Sequence, residues 1–146
     1  MEDSLRLDKQ LCFRLYTASR LIMQAYTPLL SKLGLTYPQY LVMMVLWEKD
    51  GQPVNDIAKR LYLETNTVTP LLKRMEAEGF VERLRDEADG RKVLVRLTAA
   101  GRALEAAASS VPERLAGALS PCRSLTPNAA TGLFSTLDDI IETLSR

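Results

Sequence analysis

Residues 53–97 read PVNDIAKRLYLETNTVTPLLKRMEAEGFVERLRDEADGRKVLVRL, and the spacing of apolar residues changes once along this stretch. Up to Gly79, apolar residues recur at helical spacing, which predicts a short helix over 53–61 and another from 65 to about 78. Beyond the glycine, apolar and polar residues alternate around a polar turn over 86–90. This alternation predicts a β-hairpin with a charged tip.

Two short helices joined by a tight turn and followed by a two-stranded ribbon are typical of a winged helix-turn-helix. We predict this unit over 35–98, where Pro38 begins a helix that is apolar nearly all round and so belongs to the core. The chain is therefore expected to be mostly α-helical with a small β-hairpin wing.

The segments on either side are predicted to be helical and to carry broad apolar faces. A first helix spans 8–27 and ends at Thr27-Pro28, while a long helix runs from Thr98 to about Leu119 with a bend at Pro112. A last helix begins at Thr126-Pro127. Since no obvious core remains for these faces, we expect one domain over 1–146 whose flanking segments, 5–34 and 99–146, are dimerisation helices.

Composition narrows the function. The chain is 47% hydrophobic and 25% charged, with a net charge of +1, ordinary values for a soluble protein. No apolar run reaches the roughly 18 residues that span a bilayer, and Met1–Ser4 lacks the basic start of a secretory signal, so we expect a cytoplasmic protein without membrane contact. With no histidine and two cysteines, the usual nucleophilic and metal sites are missing. We therefore predict neither an enzyme nor a cofactor or metal.

The start of the second predicted helix has residues suited to DNA. In a helix-turn-helix, this end of the second helix enters the major groove, where small hydroxyl and amide groups reach bases and phosphates. Helix propensity alone would not select three threonines and a proline there. The candidate contacts on this helix are Thr65, Asn66, Thr67, Thr69, Pro70, Lys73 and Arg74.

The hairpin supplies a second set of candidate DNA contacts. Arg83, Arg85, Arg91 and Lys92 flank or occupy a tip that could enter a minor groove, and Asp89 could orient the Arg91 guanidinium. Residues 59–96 hold nine basic and seven acidic residues. The net excess is small, so the prediction of a double-stranded DNA partner depends on where the charges lie.

Four runs together resemble the MarR family, and more narrowly its organic-hydroperoxide-sensing OhrR-type branch. They are Leu35–Met43 (LTYPQYLVM), Leu61–Thr65 (LYLET), Thr69–Glu76 (TPLLKRME) and Asp86–Thr98 (DEADGRKVLVRLT). The resemblance is strong over about 8–105. It implies a homodimeric winged-helix repressor that binds a pseudo-palindromic operator and leaves it when a thiol is oxidised.

The same resemblance assigns a sensing role to Cys12, with Tyr26 and Tyr37 as the tyrosines that hydrogen-bond it. From the sequence alone, Cys12 lies on an apolar stripe, a position that favours an inert core residue over a reactive thiol. Cys12 and Tyr26 are fourteen residues apart on one predicted helix, about 21 Å along its axis at ~1.5 Å per residue. A tyrosine that holds the thiolate must therefore come from a second subunit, unless the helix breaks earlier.

Cys122 is the only candidate for a second, resolving thiol in the OhrR-type scheme. It lies in a predicted loop after Pro121, where it is expected to be accessible, but it could also be a structural bystander. Three alternatives to the redox repressor stay open: a repressor released by a small aromatic or anionic ligand, a thiol peroxidase, and a winged helix used for protein contacts.

Overall fold

The computed structural model describes all residues, 1–146, and has seven helices and three strands. Two short 3-10 turns, Asp3–Leu5 and Leu7–Lys9, precede the first helix. The helices and strands are α1 (Leu11–Ser31), α2 (Tyr37–Glu48), β1 (Gln52–Pro53), α3 (Val54–Arg60), α4 (Thr65–Ala77), β2 (Val81–Arg85), β3 (Val93–Leu97), α5 (Ala99–Ala108), α6 (Val111–Leu119) and α7 (Pro127–Leu144).

The winged helix-turn-helix is confirmed. Helices α3 and α4 pack on α2, and β2 and β3 form an antiparallel hairpin in which Val81 pairs with Leu97 and Arg85 with Val93. Thr36 precedes α2 and forms a capping box with Gln39. The Gln39 backbone N–H donates to the Thr36 hydroxyl, and the Thr36 backbone N–H donates to the Gln39 side-chain oxygen. These reciprocal bonds satisfy free N–H groups at the helix start.

A third strand was not predicted. Gln52 and Pro53 pair with Val95 and Leu94, so the sheet has the order β1-β3-β2. Two residues are too short a run to show any alternation of apolar and polar side chains, which is why the sequence pattern missed this strand.

The core lies between α2, α3, α4 and the sheet. Eighteen buried apolar residues form it, six of them from α3 and α4. Those six are Val54, Ile57, Ala58, Val68, Leu72 and Met75. Helix α2 contributes buried residues on most of its circumference, as its composition predicts. This packing fixes the orientation of α4 relative to the sheet.

Two predicted helix boundaries are wrong. The first helix begins at Leu11 and runs through Pro28 to Ser31, because Leu30 is buried in the core and holds the last turn in place. The long helix after Thr98 is interrupted at Ser109-Ser110 rather than bent at Pro112. A proline clashes with the carbonyl four residues earlier, so α5 ends at Ala108 and Pro112 lies in the first turn of α6.

The apolar faces of the first and last helices are open. In α1 only Leu30 is buried, and in α7 no residue is buried. The predicted burial of the Cys12 stripe is therefore wrong for the single chain, in which Cys12 is exposed. No helix has both the length and the apolar character needed to cross a membrane.

Candidate nucleic-acid interface and thiol site

Helix α4 separates an apolar inner face from a polar outer face. Val68, Leu72 and Met75 are buried, while the predicted DNA contacts of this helix lie on the surface. Six of those contacts are exposed and Thr69 is half-buried. The outer face therefore offers hydroxyl and amide groups at the helix start and the basic Lys73 and Arg74 more than two turns further along.

Hydrogen bonds hold the wing tip in shape. The Arg85 guanidinium donates to the Gly90 carbonyl at 2.8 Å across the hairpin. The Arg91 backbone N–H and Nε both donate to Asp89 Oδ1, at 3.1 and 3.3 Å. The predicted contact between Asp89 and Arg91 is thus present, and it leaves the Arg91 side chain 92% exposed. The exposed remainder of the guanidinium is available to an anion.

A cleft of about 440 Å³ lies between the helix-turn-helix and the wing. It brings together six of the predicted contacts and adds four residues that sequence reasoning did not select. The predicted ones are Thr65, Thr69, Arg83, Asp89, Arg91 and Lys92, and the added ones are Pro53, Val54, Asn55 and Val93. The remaining predicted contacts, Asn66, Thr67, Pro70, Lys73, Arg74 and Arg85, do not line it.

Asn55 is the most informative of the missed residues. Thr65 Oγ1 donates to Asn55 Oδ1 at 3.2 Å, which ties α3 to the first residue of α4. The only signal in the sequence was its polar position between the inward-facing Val54 and Ile57 of α3. Asn55 is exposed beside Thr65, so its amide is accessible to a ligand at the start of α4.

Arg83 is held by a carboxylate that the sequence did not reveal. Glu76, near the end of α4, accepts from the Arg83 backbone N–H at 2.9 Å and from its Nε at 3.3 Å. These bonds from Arg83, above all the backbone one, lower the pKa of Glu76. The ion pair therefore fixes the start of β2 against α4, and the two terminal nitrogens of the guanidinium make no bond to Glu76.

Three tyrosines form a cluster where α1 meets α2. The ring centroids of Tyr26 and Tyr37 are 4.9 Å apart. The ring centroid of Tyr40 lies 6.0 Å from that of Tyr26 and 6.3 Å from that of Tyr37. Burial raises the pKa of all three phenols, and the neighbouring phenols raise those of Tyr26 and Tyr40 further. The phenols therefore keep their protons, and with them the ability to donate hydrogen bonds, throughout the physiological pH range.

The structure brings Tyr26 and Tyr37 together but leaves Cys12 apart. Cys12 and Tyr26 belong to one uninterrupted helix, so about 21 Å of helix axis separates them. Cys122 is exposed in the loop between α6 and α7, with its Sγ 3.6 Å from Ser124 Oγ. Both cysteines are free thiols. No three histidine, cysteine, aspartate or glutamate side chains cluster so as to hold a metal ion.

Comparison with known proteins identifies this arrangement. The family described as transcriptional regulator SarA/Rot matches residues 24–107. The organic hydroperoxide resistance transcriptional regulator of Bacillus subtilis is 45% identical over 115 residues, 79% of this chain and 78% of that protein. The chain belongs to the SarA/Rot/MarR type of winged-helix transcriptional regulators. It is therefore a DNA-binding transcriptional regulator, and the relatives it matches are regulators rather than enzymes.

Further relatives of this regulator agree. The HTH-type regulator TtmR of Methylorubrum extorquens is 45% identical over 134 residues, 89% of this chain and 69% of that protein. Among solved structures, reduced AbfR bound to DNA has a TM-score of 0.80 at 35% identity and covers 99% of both chains. Disulfide-formed AbfR has a TM-score of 0.67 at 38% identity, over 96% of this chain and 95% of that one. AbfR comes from Staphylococcus epidermidis. The regulator is thus closer in shape to the DNA-bound forms than to the disulfide form, since overoxidised AbfR bound to DNA has a TM-score of 0.77 at 37% identity, over 97% of both chains.

Proposed function

We propose that this regulator is a homodimeric repressor that binds a pseudo-palindromic operator while Cys12 is reduced and leaves it when organic hydroperoxide oxidises Cys12. The observation that carries the proposal is the pairing of Tyr26 with Tyr37 at one end of the helix that has Cys12 at the other. The similarity to an organic hydroperoxide regulator and to AbfR, known in reduced, disulfide and overoxidised forms, supports it.

The protein would contact DNA in both the major and the minor groove. The exposed start of α4 would read base edges in the major groove, and the Arg91 and Lys92 tip would enter the adjacent minor groove. The backbone between the two grooves would then cross the cleft that Asn55, Thr65 and Arg83 line. Because the cleft contacts would be to phosphates and the wing tip is basic, affinity should fall as salt concentration rises.

The second subunit would cover the open apolar faces. In α1, Leu11, Tyr16 and Leu21 are 62%, 67% and 51% exposed, and in α7, Phe134 and Leu144 are 66% and 79% exposed. Large apolar side chains left this exposed along two helices are the surface that we expect the second copy to cover. Packing these helices against a second copy would also set the spacing of the two α4 helices, which must lie about 34 Å apart to reach successive major grooves.

Dimerisation would also complete the sensor. Tyr26 and Tyr37 of the partner subunit would donate their phenol O–H groups to the Cys12 thiolate, an arrangement that one subunit cannot form. The thiolate attacks the terminal oxygen of the hydroperoxide and the O–O bond breaks. The sulfur becomes a sulfenic acid, and the alkoxide takes a proton and leaves as an alcohol.

The organic part of the peroxide needs an apolar binding pocket. A cavity of about 210 Å³ lies beside Tyr26 and Tyr37. Its other lining residues are the apolar Met23, Leu30 and Leu35 and the hydroxyl-bearing Thr27, Ser31 and Thr36. An alkyl or aryl group held there would bring its peroxide oxygen toward the phenols. The apolar part of this lining would favour organic hydroperoxides over hydrogen peroxide as oxidants.

Cys122 is proposed as the resolving thiol. Its thiolate would attack the Cys12 sulfenic sulfur and release hydroxide, which leaves a disulfide between the two residues. A disulfide needs Cα atoms within about 4.4–6.8 Å, so the α6–α7 loop would have to approach Cys12. Such a movement would rotate the two winged units relative to each other and misalign them on the operator.

Mass spectrometry and non-reducing gel electrophoresis test the proposed oxidation of Cys12 and its disulfide with Cys122. Reduced protein treated with one equivalent of cumene hydroperoxide should show sulfenic acid or disulfide by mass spectrometry, and Cys12→Ser should show neither. A band of dimer mass on a non-reducing gel that disappears in Cys122→Ser would assign Cys122 as an intersubunit partner. An unchanged Cys12 mass in the wild type would overturn the redox proposal. A repressor released by a small ligand, which the relatives do not favour, would instead respond to its ligand after both thiols are blocked.

A further inference from the structure

The aromatic cluster does not end at the two sensing tyrosines. Tyr37, Tyr40 and Trp47 follow one another along one face of α2, at steps of three and seven residues. Tyr40 is 3% exposed and contacts both Tyr26 and Tyr37 on one side. On its other side it meets the Trp47 ring edge-on, with centroids 6.4 Å apart. An unbroken row of rings therefore leads from the phenols to the far end of α2.

Trp47 joins this row to helix α5. Its indole Nε1–H donates to the Gly101 carbonyl at 3.0 Å, although 54 residues separate the two in sequence. Trp47 is the only tryptophan of the chain. Since a buried indole N–H needs a partner, any movement of the ring along α2 must either carry Gly101 with it or break this bond.

Gly101 in turn lies against the root of the wing. A Cβ at this position would be 2.2 Å from the Phe80 carbonyl oxygen and 3.2 Å from Leu97 Cδ2. Thr98 closes the same corner, because its N–H donates to the Phe80 carbonyl at 3.1 Å and its hydroxyl to the Gly79 carbonyl at 2.6 Å. The first turn of α5 is thus clamped between α2 and the junction of α4 with β2.

We propose that Tyr40 and Trp47 are positioning residues that couple the sensing tyrosines to the wing through Gly101. The inference rests on the proposed redox function, because it assigns the path by which oxidation of Cys12, felt at the phenols of Tyr26 and Tyr37, reaches the DNA-binding face. Packed rings resist gradual deformation, so a shift of Tyr37 displaces Tyr40 and then Trp47. The physical criterion for such a path is an element that both sites bias, and α2 is the helix that carries Tyr37 at one end and Trp47 at the other.

Trp47→Phe tests the hydrogen bond. It keeps an aromatic ring against Tyr40 but removes the donor to Gly101. We expect reduced Trp47→Phe to bind the operator nearly as well as the wild type. After cumene hydroperoxide, the increase in operator Kd is expected to be about tenfold smaller than in the wild type, within the usual range of coupling changes. An increase equal to that of the wild type would overturn the inference.

Tyr40 offers a matched pair of variants. Tyr40→Phe preserves the ring contacts and is expected to respond to oxidation like the wild type, whereas Tyr40→Leu removes the ring and is expected to lose the response. If Tyr40→Leu does not fold, the increase in operator Kd on oxidation of Trp47→Phe is the test of the coupling path. Equal responses in Tyr40→Leu and Tyr40→Phe would contradict a path through the ring.

Trp47 emission gives a readout that a purely structural role would not change. Oxidation is expected to shift the emission of the wild type and of Tyr40→Phe, but not that of Cys12→Ser or Tyr40→Leu. Mass spectrometry of the same samples shows whether Cys12 has reacted. If Cys12 does not react in the wild type, the proposed function fails. If Cys12 reacts and the wild type leaves DNA, but the Trp47 and Tyr40 variants respond normally, only the coupling path fails.

Discussion

Replacing Gly101 by alanine should destabilise the protein even though alanine is the better helix former. Gly101 lies inside α5, where alanine would stabilise an isolated helix by about 1 kcal/mol. Its Cβ, however, would lie 2.2 Å from the Phe80 carbonyl oxygen. The clash is with backbone that also accepts the Thr98 N–H, so neither side can move cheaply.

The size of the effect follows from these contacts. Overpacking of a well-packed site costs typically 1–3 kcal/mol, and loss of the Phe80–Thr98 hydrogen bond adds about 1 kcal/mol. After the gain in helix propensity, the free energy of unfolding should fall by about 1–3 kcal/mol. The Trp47 bond to the Gly101 carbonyl should be disturbed as well, since the first turn of α5 must tilt away from the wing root.

Urea unfolding of the reduced protein at a fixed concentration measures this loss. The control is Gly117→Ala in α6, where a Cβ meets nothing within 4 Å. There the same substitution should be neutral or stabilise by up to about 1 kcal/mol. If Gly101→Ala proved as stable as Gly117→Ala, α5 would not be docked against Phe80, and the clamp between α2 and the wing root would be refuted.

Three further predictions concern the wing, the dimer and the phenols. Glu76→Gln removes the charge that holds Arg83, so operator affinity in a fluorescence anisotropy titration should fall about tenfold. The secondary structure should stay intact. Unchanged operator affinity would exclude this ion pair as a positioning contact. Phe134→Glu puts a charge on the open face of α7, and sedimentation should show monomers with weakened DNA binding, whereas an intact dimer would place the interface elsewhere. Because burial raises the pKa of Tyr40 above its ordinary 10, the folded state keeps a proton that the unfolded chain releases. The stabilisation from the neutral Tyr40 phenol is therefore complete below about pH 10 and is lost as the pH rises toward the raised pKa of the folded state. Between these two pKa values, the free energy of unfolding of Tyr40→Phe should decline less steeply with pH than that of the wild type.

The elements that sequence predicted well are those set by local pattern. The change from helical to alternating spacing at Gly79 located both α4 and the hairpin, and Gly79 has the positive φ of 86° that such a helix end favours. Thr98 and Thr126 cap their helices as predicted. Within the site, the contact between Asp89 and Arg91 was predictable because only one residue lies between them.

The missed features depend on contacts between distant parts of the chain. Glu76 reaches Arg83 only because the chain turns back after α4, and Trp47 meets Gly101 only in the folded core. Spacing along a single element contains no information about either contact. The exposure of Cys12 was also missed, because an apolar stripe looks the same whether it faces its own core or another subunit.

Operator binding across a redox cycle tests the central claim most directly. Reduced protein is titrated onto an operator-containing DNA fragment, then treated with one equivalent of cumene hydroperoxide and finally with dithiothreitol, with Cys12→Ser in parallel. The proposed mechanism predicts tight binding, release and recovery for the wild type, and binding throughout for Cys12→Ser. If the wild type stays bound while its Cys12 is oxidised, or if Cys12→Ser is released as readily, the thiol does not control this repressor.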